Sequence, residues 1–303
     1  MRRSLQLLSK TLNVVGLSNG HGGRYLGCEK AVKVLQESEI FNQCNIPFKW
    51  GTVINETVTG TSTKALDGII SNSQKLADAT GKLFAAKKEM LVIGGDHSCA
   101  IGTWSGVASA ARTQGDVGLI WVDAHMDAHT LDSSDTGNIH GMPVAHLLGY
   151  GNSKLASIGD DFPAIKPSNL ALIGIRSFEP AEQKLLESLG AKIFYMKDIH
   201  EKGFDHCMSE AIKSVTSNTI GFGLSIDLDG FRVEDAPAVG TPEDDGIVAD
   251  EFLKFFKNNQ FDNLIATEIV EFMPRKDDEN KKSEHLVKHL VESIYFKKFD
   301  SKQ

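Results

Sequence analysis

The sequence has few cysteines and no long apolar run. Its four cysteines, Cys28, Cys44, Cys99 and Cys207, do not form a CxxC pair or a metal-finger pattern. A chain of 303 residues with 41% hydrophobic side chains can bury a full core without disulfides. The longest apolar stretches, such as residues 119–122, fall far short of the roughly 20 residues that cross a bilayer. We therefore expect a protein of a reducing compartment, the cytoplasm, with no membrane-spanning helix.

Positive charge is also scarce. The chain has 32 lysines and arginines against 40 acidic residues, which gives a net charge of −8. Such a surface is poorly suited to neutralising phosphates, so nucleic acid is excluded as an expected partner. Residues 1–10 contain no acid and resemble an organellar transit peptide, which is a minor alternative to a cytoplasmic location.

Short aliphatic or β-branched runs alternate with longer helical patterns along the whole chain. This alternation predicts a three-layer α/β/α fold with a mostly parallel sheet of about eight strands. No Pro/Ser-rich linker interrupts it, so we predict a single domain over residues 1–303. The predicted strands are residues 12–17, 52–54, 90–93, 118–122, 170–175, 192–195, 220–225 and 264–269. The predicted helices are residues 29–37, 63–88, 100–112, 181–189, 207–214, 248–258 and 284–296.

Three clusters of polar residues follow predicted strands. His97 lies after the third strand, the sequence Asp123-Ala124-His125-Met126-Asp127 after the fourth, and Asp227-Leu228-Asp229 after the seventh. Parallel α/β sheets bind ligands at the carboxyl ends of their strands, and side chains two apart in extended backbone share a face. We therefore expect six side chains to converge: His97, Asp123, His125, Asp127, Asp227 and Asp229.

Four carboxylates and two imidazoles, without a thiolate, suit Mn²⁺ better than a structural zinc site. Without cations, the crowded acids would repel one another and raise each other's pKa. The set therefore predicts a centre with two divalent cations, which could activate water for attack on an electrophilic carbon. Asp227-Leu228-Asp229 alone would more often be a solvated strand end; the joint occurrence of the clusters favours the metal centre.

These segments resemble those of the ureohydrolases and, within them, of the arginases. Further matching segments are Thr136-Gly137-Asn138-Ile139-His140-Gly141 and Gly240-Thr241-Pro242, in the same order. The resemblance implies an arginase-like fold and a hydrolase that splits a guanidinium group with a Mn²⁺-activated hydroxide and releases urea. It implies two Mn²⁺ per chain, the first bound by His97, Asp123, Asp127 and Asp227, the second by His125, Asp123, Asp227 and Asp229.

The same resemblance assigns catalytic roles to three residues. His140 would be a proton shuttle, Glu271 would hold the guanidinium, and Asp127 is counted with them. For substrate binding, it implies that Thr136 and Asn138 meet an α-carboxylate, a contact that a protonated His129 would strengthen. It also implies that Glu179 and Glu182 face the α-ammonium group of the substrate, and that Thr241 is a further substrate contact.

Several positions depart from the arginase pattern. His129 stands where the family has Asn, Glu179 where Asp is usual, and Ser177 replaces another Asp. Arg232 also replaces an Asp, and Cys28 stands where Pro is expected. All six metal positions are intact, so these departures bear on the efficiency of substrate binding.

Three functions remain open at this point. The leading hypothesis is hydrolysis of L-arginine to L-ornithine and urea. The second is hydrolysis of another guanidino compound, agmatine or a guanidino acid, and the third is a catalytically weak metal-binding protein. Family resemblance also implies a homo-oligomer, a trimer or hexamer. The other expected partner is a small guanidino substrate.

Overall fold

The computed structural model describes residues 10–299; the transit-peptide resemblance of residues 1–10 therefore lies, apart from Lys10, outside the described residues. Eight strands form one sheet in the order β2-β1-β3-β8-β7-β4-β5-β6, and every pairing between them is parallel. The strands are β1 Leu12–Leu17, β2 Phe48–Ile54, β3 Met90–Ile93, β4 Gly118–Val122, β5 Leu170–Ile175, β6 Lys192–Tyr195, β7 Phe222–Asp227 and β8 Leu264–Val270. The predicted α/β fold with a parallel sheet is confirmed.

Helices cover both faces of the sheet. They are α1 Ala31–Glu37, α2 Glu39–Asn42, α3 Leu66–Ala85, α4 Ala100–Ala111, α5 Pro143–Leu147, α6 Ser153–Ala156, α7 Pro180–Leu189, α8 Met196–Lys202, α9 Phe204–Thr216, α10 Ala249–Asn258 and α11 Lys282–Phe299.

The two sheet faces belong to different hydrophobic clusters. Within β4, Ile120 and Val122 pack in a core with α1, α9, α10 and α11, whereas Leu119 and Trp121 pack with α4, α5 and α7. Alternate residues of one buried strand thus serve opposite layers, which explains why the strands read as continuous apolar runs.

Five strand predictions match the structure, and three had wrong bounds. β2 begins at Phe48 rather than at residue 52, and its pattern was obscured because residues 48–53 are half-buried or exposed. β7 runs over Phe222–Asp227 rather than 220–225, because its pairing with β8 continues to Asp227 and Val270. β8 ends at Val270 rather than at residue 269.

The seven predicted helices are present with shifted ends. The largest shift concerns residues 63–88, where a 3₁₀ turn over Ser62–Ala65 precedes α3 and the helix ends at Ala85. Four shorter helices were not predicted: α2, α5, α6 and α8. The single-domain prediction stays a prediction, although all eight strands share one sheet.

The topology places the polar clusters at adjacent strands. The chain builds one half of the sheet through β3 and then moves to β4 in the other half, while β8 and β7 later fill the space between them. Strands β3, β8, β7 and β4 are therefore neighbours although their residues lie far apart in sequence. Such a switch point forms a crevice at the carboxyl edge, where ligands bind in open α/β sheets.

Candidate active site

The first part of the site surrounds His97. Its Nδ1 lies 3.0 Å from Asp123 Oδ2, 3.2 Å from Asp127 Oδ2 and 3.2 Å from Asp227 Oδ2. All four side chains are buried or nearly so. The structure thus brings together the four residues that the sequence predicted for the first metal.

The second part surrounds His125. Its Nδ1 lies 3.4 Å from Asp123 Oδ1 and 3.3 Å from Asp229 Oδ2. Asp123 therefore contributes one oxygen to each cluster, as expected of a bridging ligand. Asp227 lies with His97 in the first cluster, and its predicted second role, as a bridge to the other metal, stays a prediction.

The buried nitrogen of His97 tests whether these residues fit a cation. Although three carboxylate oxygens surround Nδ1, it makes no hydrogen bond of acceptable geometry. The opposite ring nitrogen, Nε2, lies 3.0 Å from Ser225 Oγ. Donors held by one cation at about 2.1 Å and at right angles lie about 3 Å apart, which is the spacing seen here. The donor set and its spacing therefore fit a divalent cation.

Electrostatics supports the same interpretation. Burial and, to a smaller extent, the charge of Asp123 raise the pKa of Asp127 to about 7. Burial also raises the pKa of Asp227 and Asp229, and neighbouring carboxylates add to the effect. Without a cation, these three acids therefore resist full ionisation, and bound positive charge would relieve this repulsion.

Trp121 and Ser225 support the first cluster, and sequence reasoning missed both. The indole of Trp121 stacks on the His97 ring with centroids 3.9 Å apart, and its Nε1 donates to Asp123 Oδ2 at 2.9 Å. Ser225 Oγ donates to the buried carboxylate of Glu268 at 2.9 Å. The only sequence signal was their position within apolar strands, two residues before Asp123 and Asp227.

His140 and Glu271 form a bonded pair beside the clusters. His140 Nδ1 lies 3.1 Å from Glu271 Oε1, which also accepts the His97 N–H at 2.9 Å. Cys28 Sγ donates to Glu271 Oε2 at 3.2 Å. Burial would lower the pKa of His140, but the hydrogen bond and charge of Glu271 outweigh it and raise the pKa to about 9.

Two of these residues have an unusual backbone. Asp127 and Glu271 have φ values of 49° and 61°, in the left-handed region that costs a non-glycine residue roughly 1–2 kcal/mol. Strain of this kind concentrates at functional sites, where the surrounding structure maintains it. Here Glu271 N–H donates to the Gly95 carbonyl at 2.8 Å, which fixes the turn.

A cavity of about 460 Å³ opens over the clusters. Its lining includes the ligand candidates His125, Asp127, Asp227 and Asp229, and also His140. All six residues predicted to bind substrate line it as well: His129, Thr136, Asn138, Glu179, Glu182 and Thr241. The structure thus gathers every residue of the predicted site except the buried His97, Asp123 and Glu271 around one cavity.

Asn138 has a fixed orientation at the cavity wall. Ser62 Oγ donates to Asn138 Oδ1 at 2.6 Å, which leaves the amide NH₂ group free to donate. Thr136 Oγ1 accepts the Asn138 N–H at 3.2 Å. The wall therefore carries an amide and a hydroxyl donor.

The predicted contact residues His129, Glu179 and Glu182 bind one another. His129 Nε2 lies 2.9 Å from Glu179 Oε2 and 3.3 Å from Glu182 Oε2. The hydrogen bond with Glu182 raises the pKa of His129 to about 9 although burial opposes it. Thr241 instead donates to Asp229 Oδ2 at 2.9 Å, so it also supports a ligand.

The fold and the site together define a class of three-layer α/β protein with His and Asp candidate metal ligands at the carboxyl edge of a parallel sheet. No helix within residues 10–299 is long and apolar enough to cross a membrane.

Comparison with known proteins gives the family. Residues 19–297 match the model of the arginase family. The arginase of Brevibacillus brevis is 41% identical over 218 residues, which cover 72% of each chain. The crystal structure of arginase from Bacillus subtilis superimposes with a TM-score of 0.85 at 32% identity, covering 97% of this chain and 99% of that one.

A third relative was crystallised with a ligand. The Entamoeba histolytica arginase in complex with L-ornithine superimposes with a TM-score of 0.85 at 28% identity, covering 95% of this chain and 99% of that one. The chain belongs to the arginase family and is an arginase-type hydrolase.

Proposed function

We propose that this protein hydrolyses the guanidinium group of L-arginine to L-ornithine and urea with two Mn²⁺ per chain. The convergence of two His/Asp clusters on Asp123, beside the His140–Glu271 pair, is the observation that carries the proposal. One cation would be held by His97, Asp123, Asp127 and Asp227, and the other by His125, Asp123, Asp227 and Asp229. When bound, the cations would supply an activated water for attack on the guanidinium carbon.

His140 would move a proton between the reacting groups and solvent. Its Nδ1 is held by Glu271 Oε1, so the ring presents Nε2 as the exchanging atom. A hydrogen bond of this kind fixes the ring orientation that proton transfer requires. His140 lines the cavity and is part-buried, so it has access both to a substrate and to water.

Glu271 would orient His140 and contact the guanidinium. A carboxylate offers about four acceptor positions. Three of them are used by the His97 N–H, His140 Nδ1 and Cys28 Sγ. One position remains for a substrate N–H, which is consistent with both roles.

The donors of Thr136 and Asn138 would bind the α-carboxylate of the substrate. The free amide NH₂ of Asn138 and the Thr136 hydroxyl line the cavity, and neither carries a negative charge. A substrate with a carboxylate would pair with these donors. Agmatine has no carboxylate and would leave them without a partner.

The cytoplasmic location and the trimeric or hexameric assembly are further parts of this proposal. The family membership supports the assembly. The scarcity of cysteine supports a reducing compartment such as the cytoplasm. Size-exclusion chromatography with light scattering of the Mn²⁺-loaded protein measures the assembly directly.

The test of the proposed function is product formation. Purified protein loaded with Mn²⁺ is incubated with L-arginine, and urea and ornithine are quantified against protein treated with chelator. We expect equal amounts of both products from the loaded protein and none after chelation. If folded protein with two Mn²⁺ bound releases no urea from any guanidino compound, only the third hypothesis remains, a metal-binding protein without turnover.

A further inference from the structure

The cavity contains two carboxylates that are already paired with a side chain of the protein itself. We propose, resting on the proposed function, that His129 takes the place of a substrate α-ammonium group, and that the enzyme hydrolyses guanidino carboxylic acids without an α-amino group about as well as arginine.

The argument begins with the acids that line the cavity. Among its described lining residues, the carboxylates outside the ligand clusters are Asp135, Glu179 and Glu182. A substrate whose guanidinium lies at the ligand clusters has only these three acids as partners for a second cationic group. Their availability therefore decides whether an α-ammonium contributes to binding.

Glu182 has little capacity left. Its side chain is buried, with 4% exposure. Oε1 accepts the Ala128 N–H at 3.0 Å, and Oε2 accepts the Glu179 N–H at 3.1 Å. The second bond caps the first turn of α7, so this carboxylate serves the fold as well as the cavity. His129 Nε2 is a further donor, 3.3 Å from Oε2.

Glu179 is paired with the same imidazole. Its Oε2 lies 2.9 Å from His129 Nε2. The other ring nitrogen, Nδ1, lies 3.1 Å from Ser133 Oγ, whose hydroxyl can donate to it. The ring can therefore present an N–H at Nε2 to both glutamates whatever its protonation state. An incoming ammonium would compete with it for Glu179 Oε2, and because the Glu179 side chain is 67% exposed, water would screen a contact at its remaining positions.

Asp135 remains unpaired with His129 but is exposed to solvent. An ion pair at such a position contributes little to binding, because water and salt screen it. The donors Thr136 and Asn138, in contrast, stay available for a carboxylate. The cavity therefore favours a guanidino acid and gains little from an α-amino group.

The reaction on such a substrate is the same hydrolysis. With 5-guanidinopentanoate, which is arginine without its α-amino group, water adds to the guanidinium carbon and the bond from that carbon to the chain nitrogen breaks. The leaving nitrogen takes up a proton. The products are urea and 5-aminopentanoate.

The experiment compares kcat/KM for L-arginine and 5-guanidinopentanoate in the Mn²⁺-loaded enzyme. A cavity that bound the ammonium through free carboxylates would favour arginine by about 10- to 100-fold. We expect a ratio below about 5 in the natural protein. In His129→Asn the two glutamates lose their internal partner, so the ratio should rise at least about tenfold. Asp135→Asn is the matched control and should leave the ratio unchanged.

A ratio above about 10 in the natural protein, or an unchanged ratio in His129→Asn, would overturn the inference. A ratio that falls in Asp135→Asn would overturn it as well, since Asp135 would then hold the ammonium. If His129→Asn fails to fold, the kcat/KM ratio of the natural protein alone tests the inference.

Calorimetric titration with L-ornithine and 5-aminopentanoate needs no turnover and separates the two claims. Affinities within about fivefold of each other support the inference even if no urea forms, in which case only the proposed function fails. Much tighter binding of ornithine overturns the inference alone.

Discussion

His97 illustrates how single side chains prepare this site for a cation. Its ring is held between the Trp121 indole on one face and Ser225 at Nε2, and Ser225 is in turn bonded to the buried Glu268. These contacts point Nδ1 at three carboxylate oxygens. Such outer contacts fix the tautomer and orientation of a metal-binding histidine, and their loss typically costs about 10–100-fold in metal affinity.

Substitution of the bridging acid Asp123 should remove bound metal, whereas substitution of the proton carrier His140 should lower only the rate. Asp123→Asn should lower the bound metal below two per chain and abolish urea release, because Asp123 provides an oxygen to both clusters. His140→Asn should keep both metals and lose about 10²–10⁴-fold in kcat, the usual contribution of a positioned acid or base. Metal analysis beside steady-state kinetics distinguishes the two; equal metal content in both variants would contradict the assignment.

The carboxylate donors can be tested with a substrate pair. Asn138→Ala should lower kcat/KM for arginine by about 10- to 100-fold, because a hydrogen bond to a charged group is lost. Agmatine has no carboxylate, so its kcat/KM should change less than about threefold. Ser62→Ala, which frees Asn138 to rotate, is the matched milder variant. An equal loss for both substrates would show that Asn138 does not bind the carboxylate.

The ligand residues could be predicted from the sequence, whereas their pairings could not. Side chains two apart in strand-end segments must share a face, and this put Asp123, His125 and Asp127 together. The bond from His129 to Glu179 joins loops 50 residues apart, and no local spacing indicates it. The sequence therefore predicted His129 as a substrate contact, and its engagement with both glutamates appeared only in the structure.

Strands and helices were predictable to different degrees, for a physical reason. Fully buried strands such as β1, β3 and β4 are apolar on both faces and gave correct bounds. The half-exposed β2 and the four short helices lack a long periodic signal. α6, for example, has four residues and is set by the Asn152 side chain, which caps its first turn.

The short helix α5 provides a pH-dependent prediction. His146 Nδ1 lies 2.8 Å from the Met142 carbonyl, and its Nε2 accepts the Asn152 N–H at 3.1 Å. This arrangement requires the neutral ring, and burial lowers the pKa of His146 below its ordinary value. The unfolded chain, with a histidine pKa of about 6.5, therefore binds this proton more readily than the folded one.

The stabilisation from His146 should be complete above pH about 6.5 and be lost as the pH falls below that value. The loss is at most about 1.4 kcal/mol per pH unit. In His146→Gln, which keeps an acceptor without a titrating ring, the free energy of unfolding should fall less steeply between pH 6.5 and 5. Urea denaturation of both proteins measures this, and parallel pH profiles would contradict the prediction.

The metal ligands also connect distant parts of the molecule. They lie at or just after the ends of β3, β4 and β7, so a bound cation joins both halves of the sheet. Chelation should therefore lower the melting temperature by several degrees, and Mn²⁺ should restore it. Free Mn²⁺ at one hundred times Kd adds about 2.7 kcal/mol per site to the free energy of unfolding. Scanning calorimetry measures the effect; an unchanged melting temperature would argue against metal binding by these residues.

The most direct measurement of the central claim is a Mn²⁺ titration of the metal-free protein that follows urea release from L-arginine. Because the two His/Asp clusters share Asp123, we expect activity to rise with bound metal and to reach its plateau at two Mn²⁺ per chain. A plateau at one Mn²⁺, or no urea from folded protein that holds two, would contradict the account.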